Sequence, residues 1–141
     1  MALNGPTEGV DASKGGGAAA AFINAMPPVF IHPYCTVAVK SHVPVTLELR
    51  NPNFTKWSSF FMSMCGKFGL MAHIDGSTPA RPDDESWVQA DCSVRSWLFG
   101  SVGDDVLDLV MEPGQGARAL YVAIEALFHD NKESRAIFPS N

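Results

Sequence analysis

Positive charge is scarce in this 141-residue chain: ten Lys and Arg stand against fifteen Asp and Glu, a formal net charge of −5. That balance, with a pI near 5.2, argues against a protein that grips nucleic acid by charge alone. Acidic residues crowd between Asp83 and Glu112, where Arg95 is the only base, and such a block repels phosphate backbones. Cysteine is equally sparse. Cys35, Cys65 and Cys92 are odd in number, far apart and form no CxxC pair, so neither a disulfide framework nor a zinc site has support. Cys65 and Cys92 fall among core-facing helical positions and read as buried free thiols, which points to a reducing compartment and a cytoplasmic location. No run approaches the roughly 18 apolar residues of a membrane helix, so no membrane partner is expected. No arginine precedes Arg50, which removes the mark of a transit peptide.

Apolar residues are plentiful at 46%, with nine Phe, three Trp and two Tyr, enough for the core of one domain plus a tail. Residues 1–32 read as a flexible Gly/Ala-rich tail and 33–141 as the folded domain. A secretory signal is disfavoured there, because Glu8 and Asp11 lie where positive charge is wanted.

The chain is organised around Asn51 to Gly76. Phe54, Trp57, Phe61, Met64, Phe68 and Met71 recur in steps of three and four, one stripe of a helix, with Lys56, Ser59, Ser63 and Lys67 turned away. Asn51 or Asn53 can cap it, and a helix of about 18 residues would be roughly 27 Å long. Before it, Val37, Val39, Val43, Val45, Leu47 and Leu49 alternate, which predicts a short strand or extended strip, with Pro44 confining it to an edge. Downstream, Asp83 or Asp84 caps a second helix carrying Trp87, Ala90, Val94, Trp97 and Leu98 inward. Asp104 opens a short third helix with Val106, Leu107 and Val110 inward. A fourth carries Ala117, Leu120, Tyr121, Ile124, Leu127 and Phe128, and a fifth runs from Lys132 to Phe138. The fold class is therefore all-α: a compact bundle of four to five helices preceded by a short extended or β segment.

Motifs for chemistry do not assemble. Asp75-Gly76-Ser77 has the wrong order for an aspartic protease and reads as a turn with Gly76 at positive φ. His73 suits the negative end of a helix without any catalytic role. The four histidines, His32, His42, His73 and His129, never fall at metal-ligand spacing. The serines lack a nucleophile elbow. Gly114-Gln115-Gly116 precedes a helix as a phosphate loop does, yet without a preceding strand or a Lys-Ser/Thr pair. Trp57, Trp87 and Trp97 could stack on bases, but at helical spacing they read as core. No catalytic, cofactor-binding or metal-binding residue is assigned, and no small-molecule substrate is expected.

Several segments in order and register carry a family likeness. They are Val39-Lys40-Ser41-His42-Val43-Pro44-Val45-Thr46-Leu47, Asn53-Phe54-Thr55-Lys56-Trp57, Gly66-Lys67-Phe68-Gly69-Leu70 and His73-Ile74-Asp75-Gly76. Trp87, Asp91, Val94, Trp97 and Leu98 follow, and then the run from Ile124 to Ala136. In these the chain resembles the Gag polyprotein of plant copia-type LTR retrotransposons over about the span of one domain. The resemblance implies a capsid-like helical domain with a structural role, in which Gag chains associate into a particle around RNA. It makes Trp57, Phe61, Phe68, Trp87, Trp97, Leu127 and Phe128 framework. Tyr121 stands where the family usually has tryptophan, and a Cys-Cys-His-Cys knuckle is absent from this sequence, so the resemblance implies a truncated or host-retained Gag fragment.

Three readings follow from the resemblance. The favoured one is an interaction module that self-associates or docks on related Gag chains, with Ile137 and Phe138 as the association surface of an unfinished helix. The second is weak RNA binding through Lys56, Lys67, Arg118, Lys132 and Arg135. The third is a degenerate reading frame without a selected role.

Overall fold

A computed structural model describes the backbone of residues 31–137 and the side chains of residues 31–130. The chain divides into two compact units between Ile31 and His32, and the account below concerns the second. The tail expected over 1–32 falls outside the described residues, save for its last two positions.

The described residues are mostly helical. Helices α1 (Phe54–Lys67), α2 (Ala72–Asp75), α3 (Glu85–Ser101), α4 (Asp104–Val110) and α5 (Ala117–Ile137) follow two short 3-10 turns, Pro33–Thr36 and Val39–Ser41. The alternating segment is not a strand. Its alternation survives all the same: Val43 and Leu47 are fully buried and Val37, Val39, Val45 and Leu49 half-buried, while Ala38, Lys40, Pro44 and Glu48 are exposed. A strand needs a partner, and among the described residues only a single bridge forms, Leu47 with Val102 in parallel. Leu47 N–H donates to the Ser101 carbonyl at 2.9 Å, and Gly103 N–H donates to the Leu47 carbonyl at 2.8 Å. The segment is thus held against the C-terminal end of α3.

Helix α1 buries Trp57, Phe61 and Met64 of the expected stripe, with Cys65 beside them. It stops at 14 residues, shorter than expected. Gly69, at φ 72°, takes the left-handed position after the cap. There Leu70 N–H reaches back to the Cys65 carbonyl (2.7 Å) and Gly69 N–H to Gly66 (3.1 Å), closing a Schellman motif. Phe68 and Met71 therefore lie beyond the helix and are only half-buried. Asn53 sits at the cap position without capping: its Oδ1 accepts from Glu48 N–H (3.2 Å) and its Nδ2 donates to the Thr46 carbonyl (3.0 Å), pinning the preceding segment.

Asp84 does cap α3, its Oδ1 accepting from Ser86 N–H at 2.9 Å and Trp87 N–H at 3.3 Å. Helix α4 follows expectation, with Val106, Leu107 and Val110 buried. The fourth and fifth expected helices are one continuous α5. Between Ala117 and Ile137 there is neither Gly nor Pro, and His129-Asp130-Asn131 lowers helix propensity too little to break a helix already packed along one face.

The core lies where α1 meets α5. Trp57 stacks on Phe61 (centroids 5.1 Å) and Tyr121 (6.0 Å), and Phe54 stacks on Phe128 (5.6 Å). The fully buried Trp57 donates its indole N–H to Ser101 Oγ at 3.1 Å, and that hydroxyl donates to the Trp97 carbonyl at 2.8 Å. Of the framework residues, Trp57, Phe61, Trp97 and Phe128 are buried and Phe68, Trp87 and Leu127 half-buried.

Candidate functional site

The basic residues singled out in the sequence lie on two helices, and the side chains of three of them, Lys56, Lys67 and Arg118, are described. Lys56 and Lys67 are exposed on one stripe of α1, eleven residues apart and so about 16 Å along the axis. Lys67 Nζ lies 3.3 Å from His42 Nε2 and 5.6 Å from the Phe68 ring centroid. Arg118, in the first turn of α5, is engaged elsewhere. Its guanidinium donates to the Ile74 carbonyl at the C-terminal end of α2 and lies over Gly76, where an added Cβ would meet Nε at 3.0 Å. That bond closes the end of α2, while the residue itself stays exposed. Lys132, Arg135 and Ile137 belong to the backbone of α5, but their side chains, and all of Phe138, lie outside the described residues.

A second arrangement was not legible from motifs. His73 and Asp91, eighteen residues apart in sequence, are both buried and bonded to each other, Nδ1 to Oδ1 at 3.0 Å. A carboxylate only accepts, so Nδ1 carries the hydrogen. The other carboxylate oxygen, Oδ2, accepts from Ala117 N–H, the first residue of α5, at 3.2 Å and lies 3.7 Å from Arg95 Nε. Trp87 covers the imidazole, centroids 4.9 Å apart. Asp91 thus serves α5 as a cap lent from α3, placing negative charge at the positive end of the helix dipole. A histidine–aspartate pair can act as a general base through the imidazole Nε2; the bonds made here join α2, α3 and α5 as a clasp. The sequence signal was an acid at position 91 in the same inward register as Trp87, Ala90, Val94 and Leu98.

The remaining candidates are local structure. Asp75 Oδ1 accepts from Ser77 N–H at 2.8 Å, and Gly76 has φ 70°, a helix-terminating turn. Bonds from Ser77, with a smaller contribution from Arg118, hold the Asp75 carboxyl below its ordinary range. In the Gly114-Gln115-Gly116 loop the glutamine folds back, accepting from Glu112 N–H at 3.2 Å and donating to the Val110 carbonyl at 3.0 Å. A shallow cleft of about 230 Å³ between α1, α2 and α5 is lined by Phe54, Met62, Met71 and Tyr121, with Asp75, Arg118 and Glu125 also on its wall.

The thiols divide. Cys65 is buried, and burial pushes it up to about 12. Cys92, expected in the core, is exposed, because α3 turns Trp87, Val94 and Leu98 toward the core and Val88, Cys92 and Phe99 away from it. Its Sγ accepts from Arg95 Nη2 at 3.0 Å. Among the described residues no group of three or more His, Cys, Asp or Glu is placed to hold a metal ion, and no helix is long and apolar enough to cross a membrane.

No protein-family model, curated protein or solved structure matches this chain. The functional reading therefore rests on the residues and their arrangement. Of the polar side chains described, His73 and Asp91 join helices, Arg118 donates to the Ile74 carbonyl, and Asp75 holds its own turn. What the surface offers instead is large apolar side chains: Leu109 at 60% exposure, Met111 at 51% and Met62 at 42%, with Phe60 and Phe99 close behind.

Proposed function

We propose that this chain is a non-enzymatic, capsid-like interaction module of the Gag type, acting in the cytoplasm by self-association or by docking on related Gag chains. The observation that carries the reading is the exposure of Leu109 and Met111 at the outer end of α4. A helical domain with a filled core has no internal use for such side chains outside, and association would remove them from water. The family likeness supplies the kind of partner, another chain of the same type. Light scattering on a size-exclusion column across a concentration series tests it. Mass rising with concentration is the expected result. A monomer at every concentration, with no capture of related Gag chains, refutes it.

A further inference from the structure

Charge in the described domain is segregated. From His32 to Ile74 the chain carries Lys40, Arg50, Lys56 and Lys67 against the single acid Glu48. From Asp75 to Asp130, Arg81, Arg95 and Arg118 stand among a large excess of Asp and Glu. Each half presents one helix of a single sign. Helix α1, FTKWSSFFMSMCGK, has no acid, and α4, DDVLDLV, has no base.

Both helices also expose apolar side chains within their charged surface. On α1, Lys56, Phe60, Ser63 and Lys67 recur at spacings of four, three and four, which at 100° per residue confines them to one stripe. All four are exposed, and Phe60 at 38% lies between the two lysines. On α4, Asp104, Asp105, Asp108 and Leu109 share the outward half, opposite the buried Val106, Leu107 and Val110, and Met111 and Glu112 extend the same exposed surface. Among the described residues neither lysine and none of these carboxylates is held in an ion pair. An aromatic flanked by lysines on one helix thus matches an aliphatic pair flanked by carboxylates on another.

Resting on the self-association reading, we infer that the basic stripe of α1 (Lys56, Phe60, Lys67) docks on the acidic end of α4 (Asp105, Asp108, Leu109, Met111) of a second copy of this chain. The two patches differ, so one contact taken alone is head-to-tail. Repeated, it gives a ring or an open chain, and made twice about a two-fold axis it gives a dimer with reciprocal α1–α4 contacts. Apolar contact at the centre supplies the attraction. The charges around it set orientation and oppose a like-with-like pairing of two α1 or two α4 surfaces. Salt weakens the contact, because the charges are exposed and a Debye length is only about 10 Å at 0.1 M.

The test uses the full chain and two charge reversals, Lys56→Glu with Lys67→Glu, and Asp105→Lys with Asp108→Lys. All four positions are exposed, and circular dichroism checks that each variant keeps its fold, above all at Asp105, whose Oδ1 accepts from Val106 N–H at 2.9 Å. At low ionic strength the wild-type chain associates, and each variant alone weakens association roughly tenfold or more. In the first variant both patches are acidic. In the second α1 stays basic, and the two introduced lysines face it from the middle of α4, between Asp104 and Glu112. An equimolar mixture therefore restores opposite charge at the reversed positions and regains the mass that neither variant reaches alone. If both variants associate as the wild type does, self-association stands but the docking surface is elsewhere, and the inference fails. A wild-type monomer at all concentrations removes both readings. A mixture that stays monomeric also refutes the inference. So does loss of retention of a labelled poly(U) strand in Lys56→Glu/Lys67→Glu with unchanged mass, which would assign the stripe to single-stranded nucleic acid.

Discussion

Replacing Asp91 should destabilise this domain more than its position on a long helix suggests, and in two graded steps. Asp91→Ala removes the acceptor for both His73 Nδ1–H and Ala117 N–H, and takes away the charge facing Arg95. The His73 side chain is 7% exposed, so water does not readily replace the lost partner. Each buried donor left unsatisfied costs about 1–3 kcal/mol, and here two are left. A total of about 4 kcal/mol is a large share of the roughly 5–15 kcal/mol that holds a domain folded. Asp91→Asn keeps the shape and one acceptor oxygen but turns the other position into a donor. Either His73 or Ala117 then faces an N–H, and the loss falls to about 1–3 kcal/mol.

Urea unfolding followed by tryptophan fluorescence reads both. With a slope of about 1.5 kcal/mol per molar, the midpoint drops by about 2–3 M for Ala and about 1–2 M for Asn. A His73→Ala, Asp91→Ala cycle should show coupling of about 0.5–3 kcal/mol, since the two side chains are in direct contact. If Asp91→Ala unfolds within about 0.3 M of the wild type, the clasp contributes nothing and its description as the joint of α2, α3 and α5 is wrong.

Other substitutions probe neighbouring joints. Ser101→Ala leaves the fully buried Trp57 indole N–H without its acceptor, and thermal unfolding should show a loss of about 1–3 kcal/mol with a changed Trp57 emission. Gly103→Ala would place a Cβ 3.0 Å from the Leu47 carbonyl and 2.9 Å from Asp105 Oδ1, so the bridge to Leu47 must shift, and urea unfolding should register a cost of about 1–3 kcal/mol. Alkaline pH should destabilise the fold. Burial raises Cys65 from 9.0 to about 12, so the folded state keeps a proton the unfolded chain releases. The resulting stability is fully present below pH 9.0 and lost as pH rises toward about 12, while Tyr121, raised from 10.0 to about 12 chiefly by burial and secondarily by Glu125, acts in the same direction. A urea midpoint that stays level or rises across that range would contradict this. Finally, a thiol reagent should label Cys92 rapidly in the native protein and Cys65 only on unfolding, read by intact mass against time.

What could be read from the sequence was whatever a single helix decides for itself. The inward register of Trp57, Phe61 and Met64 follows from a 3.6-residue period, and the Asp84 cap from an acid just ahead of an apolar run. Events depending on a partner elsewhere in the chain were not legible. The Val-rich alternation before α1 has the period of a strand, but strand character requires a neighbouring strand. Helices supply the apolar surface instead, so the alternation survives as a strip lying on helices, with Val43, Val45, Leu47 and Leu49 turned in and Pro44 and Glu48 exposed. Cys92 read as core because its helix is amphipathic, yet which flank of an amphipathic helix stays open depends on what packs beside it. Here the 3-10 turns lie against α3 through Cys35 and Ser93 and the clasp joins it to α5 through Asp91, leaving Cys92 outside. The basic list met the same limit. Five Lys and Arg positions look alike in sequence, but Arg118 donates to the Ile74 carbonyl and Lys67 lies 3.3 Å from His42 Nε2, contacts that only packing decides. Charge sign is a property of sequence and availability is a property of packing, so a surface reading must begin from the residues that packing has left unspent.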